Sequence, residues 1–239
     1  MNISTRPASS IFTEPLQDID MLNIRTFTFN PFGERSSLVW DDTLEAVLID
    51  PGCYDSSEVG TVMDLVREKG LTIKAIWLTH GHFDHIFGVT SFPGVPMYMH
   101  PADKDILAID GTLASAVGLK EPDTSFTTVD IAEGDILKFG NTEFKVIATP
   151  GHTPGGVCFY DETDGVLFSG DTLFAGSIGR SDLPMGDYDS LIVSLMEKIM
   201  GLPGGVEVYP GHGPSTDIAT ERTHNPFLQP FNEPDQEYV

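Results

Sequence analysis

Cationic side chains are scarce in this sequence. Thirteen Lys and Arg face 36 Asp and Glu, a formal net charge of −23 over 239 residues. A nucleic-acid binder needs a basic footprint to displace counterions from phosphates. No Lys/Arg cluster occurs, so nucleic acid and anionic membrane surfaces are both disfavoured as partners, and the acidity reads as a contribution to solubility. Cysteine is nearly absent as well. Cys53 and Cys158 do not make a disulfide framework, and Cys158, in a Gly-rich apolar run, reads as a buried strand residue. No apolar run approaches the length of a membrane span. Residues 1–20 have no apolar core and a single Arg, so they do not read as a secretory signal. These absences together predict a reducing, cytoplasmic setting.

What is present suits a globular α/β chain. Apolar residues make up 40% of the sequence, and this length can bury a substantial core. Residues 1–20 read as a polar arm able to pack on the surface or on a partner subunit, which leaves a homo-oligomer open. Residues 21–239 read as a single domain. Strands are predicted over 22–29, 36–40 and 46–49, followed by a helix over 56–68 with Ser56 or Ser57 as its cap and Gly70 beyond its end. A buried strand over 73–78 leads into a His-rich loop. Then come a strand over 95–99, a helix over 101–109 and a variable stretch over 110–128. The second half repeats the scheme, with strands over 135–139, 143–148, 156–160 and 166–169, a helix over 187–200, a strand over 206–209 and a helix over 217–222. Two similar βα halves packed sheet to sheet, with helices outside, account for this order.

The chemistry concentrates in Thr79-His80-Gly81-His82-Phe83-Asp84-His85. Four metal-capable side chains fall within six residues, directly after an apolar strand. Alternating residues of extended backbone point the same way, so His80 and His82 can grip one ion. Asp84 and His85 face differently and can serve a neighbouring ion, while Gly81 lets the chain bend closely past both. Packing so many polar groups beside a buried strand would be costly to desolvate without a cation. Three further candidates each lie beside glycine after an apolar strand: His152, Asp171 and His212. Taken singly, such a histidine is more often a turn or supporting residue than a ligand. His100 and His224 read as ordinary surface or packing histidines.

His-x-His-x-Asp-His followed by His152, Asp171 and His212 resembles the metallo-β-lactamase superfamily over about residues 23–212. Within it, Gly170-Asp171-Thr172-Leu173-Phe174, Gly179-Arg180 and Pro210-Gly211-His212 are similar to the glyoxalase II-like branch. The tail Thr216-x4-Glu221-x3-Asn225-Pro226-Phe227 is similar to the short, single-domain members of that branch. The resemblance implies an αββα sandwich of two mixed β-sheets packed face to face with helices outside. It implies one metal held by His80, His82 and His152, another held by Asp84, His85 and His212, and Asp171 bridging both. Asp50 resembles a residue that orients the ligand loop, with a plain turn-former as the competing reading.

Imidazole and carboxylate ligands without thiolate suit two divalent ions, zinc first, with iron or a mixed zinc/iron pair as alternatives. The implied chemistry is attack by a metal-bound hydroxide, with Asp84 and Asp171 as the catalytic carboxylates. Amide hydrolysis must protonate a poor leaving group, whereas thiols have a pKa of about 8.5 and leave readily. A small-molecule thioester therefore fits these residues, and the resemblance implies one of the hydroxyacylglutathione kind, with another low-molecular-weight thiol or a different acyl thioester as alternatives. Glyoxalase II enzymes usually add a C-terminal domain with basic residues for glutathione. Here 27 residues follow His212, and Arg222 is their only Lys or Arg. Arg180 can meet a substrate carboxylate, though an exposed loop arginine is an equal reading. The alternative function is a persulfide dioxygenase, in which His80, His152 and Asp171 would hold a single iron.

Overall fold

The computed structural model describes residues 22–229, and the arm expected over residues 1–20 lies outside them. Two six-stranded mixed sheets form the centre. The first contains β1 (Asn23–Phe29), β2 (Glu34–Trp40), β3 (Glu45–Ile49), β4 (Thr72–Trp77), β5 (Met97–Met99) and β6 (Thr128–Asp130), adjacent in chain order. The pairings are antiparallel from β1 to β3 and parallel from β3 to β6. The second sheet starts with β7 (Ile136–Phe139), β8 (Thr142–Ala148), β9 (Val157–Asp161) and β10 (Val166–Gly170). The chain then makes a separate ribbon from β11 (Leu173–Phe174) and β12 (Ser177–Ile178). It returns through β13 (Glu207–Pro210) and β14 (Thr216–Asp217), which pair onto β10 in the order β14-β13-β10.

Side-chain alternation builds the layers. In β3 and β4, Val47, Ile49, Ala75 and Trp77 face the second sheet, where they meet Phe144, Val146, Phe159 and Phe168. The Trp77 indole is the centrepiece, with ring centroids 5.3 Å from Phe159 and 5.5 Å from Phe144. Removing so large a fully buried ring costs about 3–5 kcal/mol. The alternate residues of the same strands, Ala46, Leu48 and Ile76, face outward against Val62 and Val66 of α1 (Ser56–Lys69). On the other side Cys158 and Leu167 pack on Leu191 of α4 (Tyr188–Ser194) and Ile218 of α5 (Ile218–His224). Strands buried on both faces read as continuous apolar runs. The arrangement is an αββα sandwich, as the sequence led us to expect. Cys53 and Cys158 are both buried free thiols. Among the described residues no helix is long and apolar enough to cross a membrane.

The departures have local causes. Asp55, not Ser56 or Ser57, caps α1, accepting from the Ser57 and Glu58 N–H groups; Gly70 ends the helix in the left-handed conformation, as expected. The His-rich loop contains one helical turn, α2 (Phe83–Ile86). The helix predicted to stop at Ile109 continues as α3 (Lys104–Ala116) into the stretch read as variable. Gly111 there suggests a break in the sequence, yet it sits inside the helix, and the left-handed glycine that follows the helix is Gly118. The long helix expected over 187–200 gives way to a π-helical segment over Leu195–Ile199. Strands β6, β11, β12 and β14 have two or three residues each, too short to show a period of two.

Candidate metal centre

Every candidate ligand stands where a strand ends. His80 and His82 follow β4, and His82 leads into α2, whose first turn carries Asp84 and His85. His152 follows β8, Asp171 directly follows β10, and His212 follows β13. The two sheets are stitched together at this edge. Val157 N–H donates to the Thr79 carbonyl (2.9 Å) and Arg35 N–H to Gly211 (2.8 Å), while Gly211 N–H to Gly170 (2.8 Å) ties the ends of β13 and β10 within the second sheet. Gly211 is required by contact: a Cβ there would stand 2.3 Å from Asp171 Oδ1 and 2.7 Å from His85 Cε1. Gly170 has a left-handed φ of 48° and abuts Thr79. Gly81, expected to let the chain pass closely, donates its N–H to Asp103 Oδ2 (2.8 Å), and a Cβ there would stand 3.1 Å from the Asp103 carbonyl oxygen.

All seven candidate side chains converge. His80, His82 and His152 form one group, and Asp84, His85 and His212 another, with the ligand atoms of each lying within 4.8 Å of one another. Asp171 lies between the groups. Its Oδ2 is 3.5 Å from His152 Nε2 and 3.6 Å from His212 Nε2, and its Oδ1 is 3.3 Å from His85 Nε2. Asp84 Oδ2 is 3.2 Å from His212 Nε2. Five of the seven are buried, Asp171 nearly so, and His212 is partly open.

The rings are aimed by groups behind them. Thr79 Oγ1 holds His80 Nδ1 (2.9 Å), Asp50 Oδ2 holds His85 Nδ1 (3.0 Å), and the Arg180 carbonyl accepts from His152 Nδ1 (2.7 Å). Each such bond leaves Nε2 pointing inward. His80 Nε2, His85 Nε2 and Asp171 Oδ1 are buried without a hydrogen-bond partner. Orphaned buried groups of this kind are costly unless a cation completes them, so the donor set fits a divalent metal pair.

The electrostatics agree. Burial, and then the neighbouring His85, hold His80 well below its ordinary pKa, and burial with His152 pushes His82 down to about 3. Both are therefore neutral imidazoles, the form that binds metal. Burial works against charge on His85 and on Asp171, but each outweighs it for the other. With Asp84 and Asp50 adding, His85 lies well above its usual value, and Asp171 lies well below its own.

Several positioning residues had no signature in the sequence. Asp103, buried at the start of α3, accepts from Gly81 N–H, Thr153 Oγ1 (2.8 Å) and Gly155 N–H, tying the first ligand loop to the His152 loop. Asn30, at a left-handed φ of 50°, donates to the carbonyls of Gly52 (3.0 Å) and Asp84 (2.8 Å). Asp50 stands where the orienting reading puts it, accepting from Thr79 N–H (2.7 Å) and hydroxyl as well as facing His85. The tail motif also has work to do. Glu221 accepts from Gly176 N–H (2.9 Å) and Thr216 Oγ1 (2.7 Å), and Asn225 donates to Glu221 (2.7 Å) and to the Ser177 carbonyl (3.0 Å). They pin the β11–β12 ribbon beside the centre. Arg180 is turned toward Asp182 in a bidentate pair (2.8 Å each) on an exposed loop. His100 caps the turn before α3, accepting from Ala102 N–H (3.3 Å), and His224 is exposed.

The metallo-beta-lactamase superfamily model matches residues 30–214. The chain belongs to that superfamily. Among its relatives, the hydroxyacylglutathione hydrolase GloC of Haemophilus influenzae is 36% identical over 216 residues, covering 87% of this chain and 98% of that protein. The probable metallo-hydrolase YqgX of Bacillus subtilis is 38% identical over 200 residues, covering 82% and 92%. Of solved superfamily structures, TTHA1623 in a di-iron-bound form superposes with a TM-score of 0.77 at 40% identity, covering 85% of this chain and all of that one. ETHE1 from Myxococcus xanthus superposes at 0.69 with 28% identity, covering 85% and 83%. The superfamily, its fold and kinship with metallo-hydrolases are thus shown for this chain.

A cavity of about 440 Å³ opens directly over the centre, with His82, Asp84, His152, Asp171 and His212 at its floor.

Proposed function

We propose that this chain is a hydrolase of small-molecule thioesters, of the hydroxyacylglutathione kind, working in a reducing, cytoplasmic setting. The observation that supports this most is the pair of complete donor groups with Asp171 between them, opening on a cavity. In this reading His80, His82 and His152 would hold one ion and Asp84, His85 and His212 the other, with Asp171, which lies between the groups, available to both. Two divalent ions held there, zinc or iron, would supply Lewis acidity and lower the pKa of a bound water.

The remaining work falls to the chain itself. Asp171, held anionic by the surrounding histidines, keeps the two ligand groups in register. Asp84 reaches both the cavity and His212, so its free carboxylate oxygen is placed to take a proton from the attacking water. The C–S bond then breaks, and the thiolate leaves without a strong general acid, because a thiol is acidic enough. Among the residues of the floor no further acid stands ready to protonate an amine, which favours thioester over amide. Apolar walls exclude bulk water and strengthen the electrostatics inside. Arg180 at the rim is the cation available to a substrate carboxylate once it parts from Asp182.

The competing reading, a mononuclear iron persulfide dioxygenase on His80, His152 and Asp171, draws support from the likeness to ETHE1. It leaves the second donor group, Asp84, His85 and His212, without a purpose. Elemental analysis of purified protein paired with a thioester hydrolysis assay on the same sample tests both. About two zinc or iron per chain with thiol release is the expected result. About one iron per chain, no thiol release, and oxygen uptake with glutathione persulfide would establish the dioxygenase instead.

A further inference from the structure

The walls of the cavity over the centre are of one chemical kind. Phe32, Phe83, Leu113, Val117, Phe174 and Leu183 line it above the polar floor. They come from separate parts of the chain: the β1–β2 turn, α2, α3 with its C-terminal cap, β11, and the loop after β12. Phe32 and Phe83 meet edge to face with centroids 5.2 Å apart. Phe32 and Val117 remain 47% and 58% exposed at the mouth, so apolar surface continues out of the cavity. Such exposure next to a reactive centre marks a ligand-binding groove.

Charge tells against an anionic occupant. Among the described lining residues Arg180 is the only Lys or Arg, and its guanidinium is already committed to Asp182. Lys120, just beyond α3, is turned away onto the Tyr54 carbonyl and ring. A glutathione thioester carries two carboxylates, and coenzyme A carries phosphates. Above the donor set, Arg180 is the one side-chain cation that the described lining offers either of them, and the net charge of −23 repels both on approach. An apolar acyl chain finds a matching wall whose floor is the donor set, which places its carbonyl at the centre.

We propose that the preferred substrate is a thioester with an apolar acyl chain on a carrier thiol without net negative charge. The acyl chain lies along Phe32, Leu113, Val117 and Leu183. This rests on the thioester reading above and replaces its glutathione carrier with an uncharged one. The reaction consumes water at the acyl carbon, breaks the C–S bond, and yields a carboxylate, a proton and the free thiol.

The test uses the metal-loaded protein and N-acetylcysteamine thioesters of acetyl, butyryl, hexanoyl and octanoyl groups, with S-lactoylglutathione as the anionic comparison. The expected result is a kcat/KM that rises about fourfold per added methylene until the cavity is filled, with hexanoyl or octanoyl well above S-lactoylglutathione. Val117→Asp, at an exposed rim position that does not threaten folding, should flatten that slope; metal content per chain checks that its centre is intact. Val193→Asp, an exposed apolar residue on α4 outside the cavity lining, should keep the wild-type slope. A flat or falling series in wild type, or S-lactoylglutathione as the best substrate, would overturn the apolar-acyl proposal and leave the thioester reading standing. Hydrolysis of none of these thioesters would refute both.

Discussion

The floor and the walls of the cavity are built on opposite principles. The floor and the donors beneath it comprise seven side chains, four from one six-residue loop and three from separate strand ends; three of the rings are aimed by Thr79, Asp50 and the Arg180 carbonyl, and Asp103 ties the loops. It is buried, nearly without freedom, and contains orphaned nitrogen and oxygen atoms facing one another. The walls consist of apolar side chains from a turn, a helix end and a short ribbon, with Phe32 and Val117 half open to solvent. A floor of this kind sets what chemistry is done; a wall of this kind sets what is brought to it. The lesson is that substitutions in the floor should register in metal content and in all substrates alike, whereas substitutions in the wall should register only in the choice among substrates.

The largest effect is expected at Asp171, which touches both donor groups. Asp171→Ala should abolish turnover, a loss of about 10³-fold or more, and lower bound metal at both positions in elemental analysis. Full activity in that variant would break the idea of one shared floor. Next comes Asp103→Ala, which leaves the Gly81 and Gly155 N–H groups without their acceptor. Groups that hold ligand loops typically matter 10- to 100-fold in metal affinity, so a chelator competition titration should show a loss of about that size. Wild-type affinity would show that the loops hold themselves.

A smaller effect concerns Glu34, fully buried behind the floor with Ser36 Oγ donating to it (2.9 Å) and Oε1 unpartnered. Burial carries its carboxyl well above the usual range, with Asp50 and Asp84 adding and His85 opposing. A raised folded pKa means that the native state keeps a proton the unfolded chain gives up. The stability this contributes is therefore complete below the ordinary carboxylate pKa and is lost as pH rises through the folded value. In metal-stripped protein, Glu34→Gln should gain stability over wild type with rising pH, at most about 1.4 kcal/mol per pH unit. Urea unfolding at pH 5, 6, 7 and 8 measures it, and a constant difference would show Glu34 charged throughout. The smallest effect is expected at the rim above the floor. Arg180→Ala keeps the backbone carbonyl on His152, so metal content should not change. KM for S-lactoylglutathione should rise about two- to fivefold, the scale of an exposed charge pair, with kcat little altered. Loss of metal in this variant would erase the distinction between floor and wall.

The candidate donors that the fold brings together were legible in the sequence because the same few residue types recur beside glycine after each apolar run. The αββα layering was legible because strands buried on both faces leave apolar runs separated by helical spacing. What could not be read there has a common cause. Asp103, Asn30 and Glu34 act through partners 22 to 54 residues away or through burial alone, and nothing near them in the chain marks that. Gly111 looks like a helix breaker and is overridden by α3, whose Leu113 and Val117 reach the cavity.

By itself, then, the sequence determined the metal-capable donors and the strand ends that carry them, since a cation demands particular atoms and a buried strand demands apolar residues. Only the tertiary structure decided which atoms of those donors face inward and what surrounds the space above them. Ring orientation depends on hydrogen bonds from distant loops, and the cavity wall depends on apolar residues indistinguishable in the sequence from any others in the core.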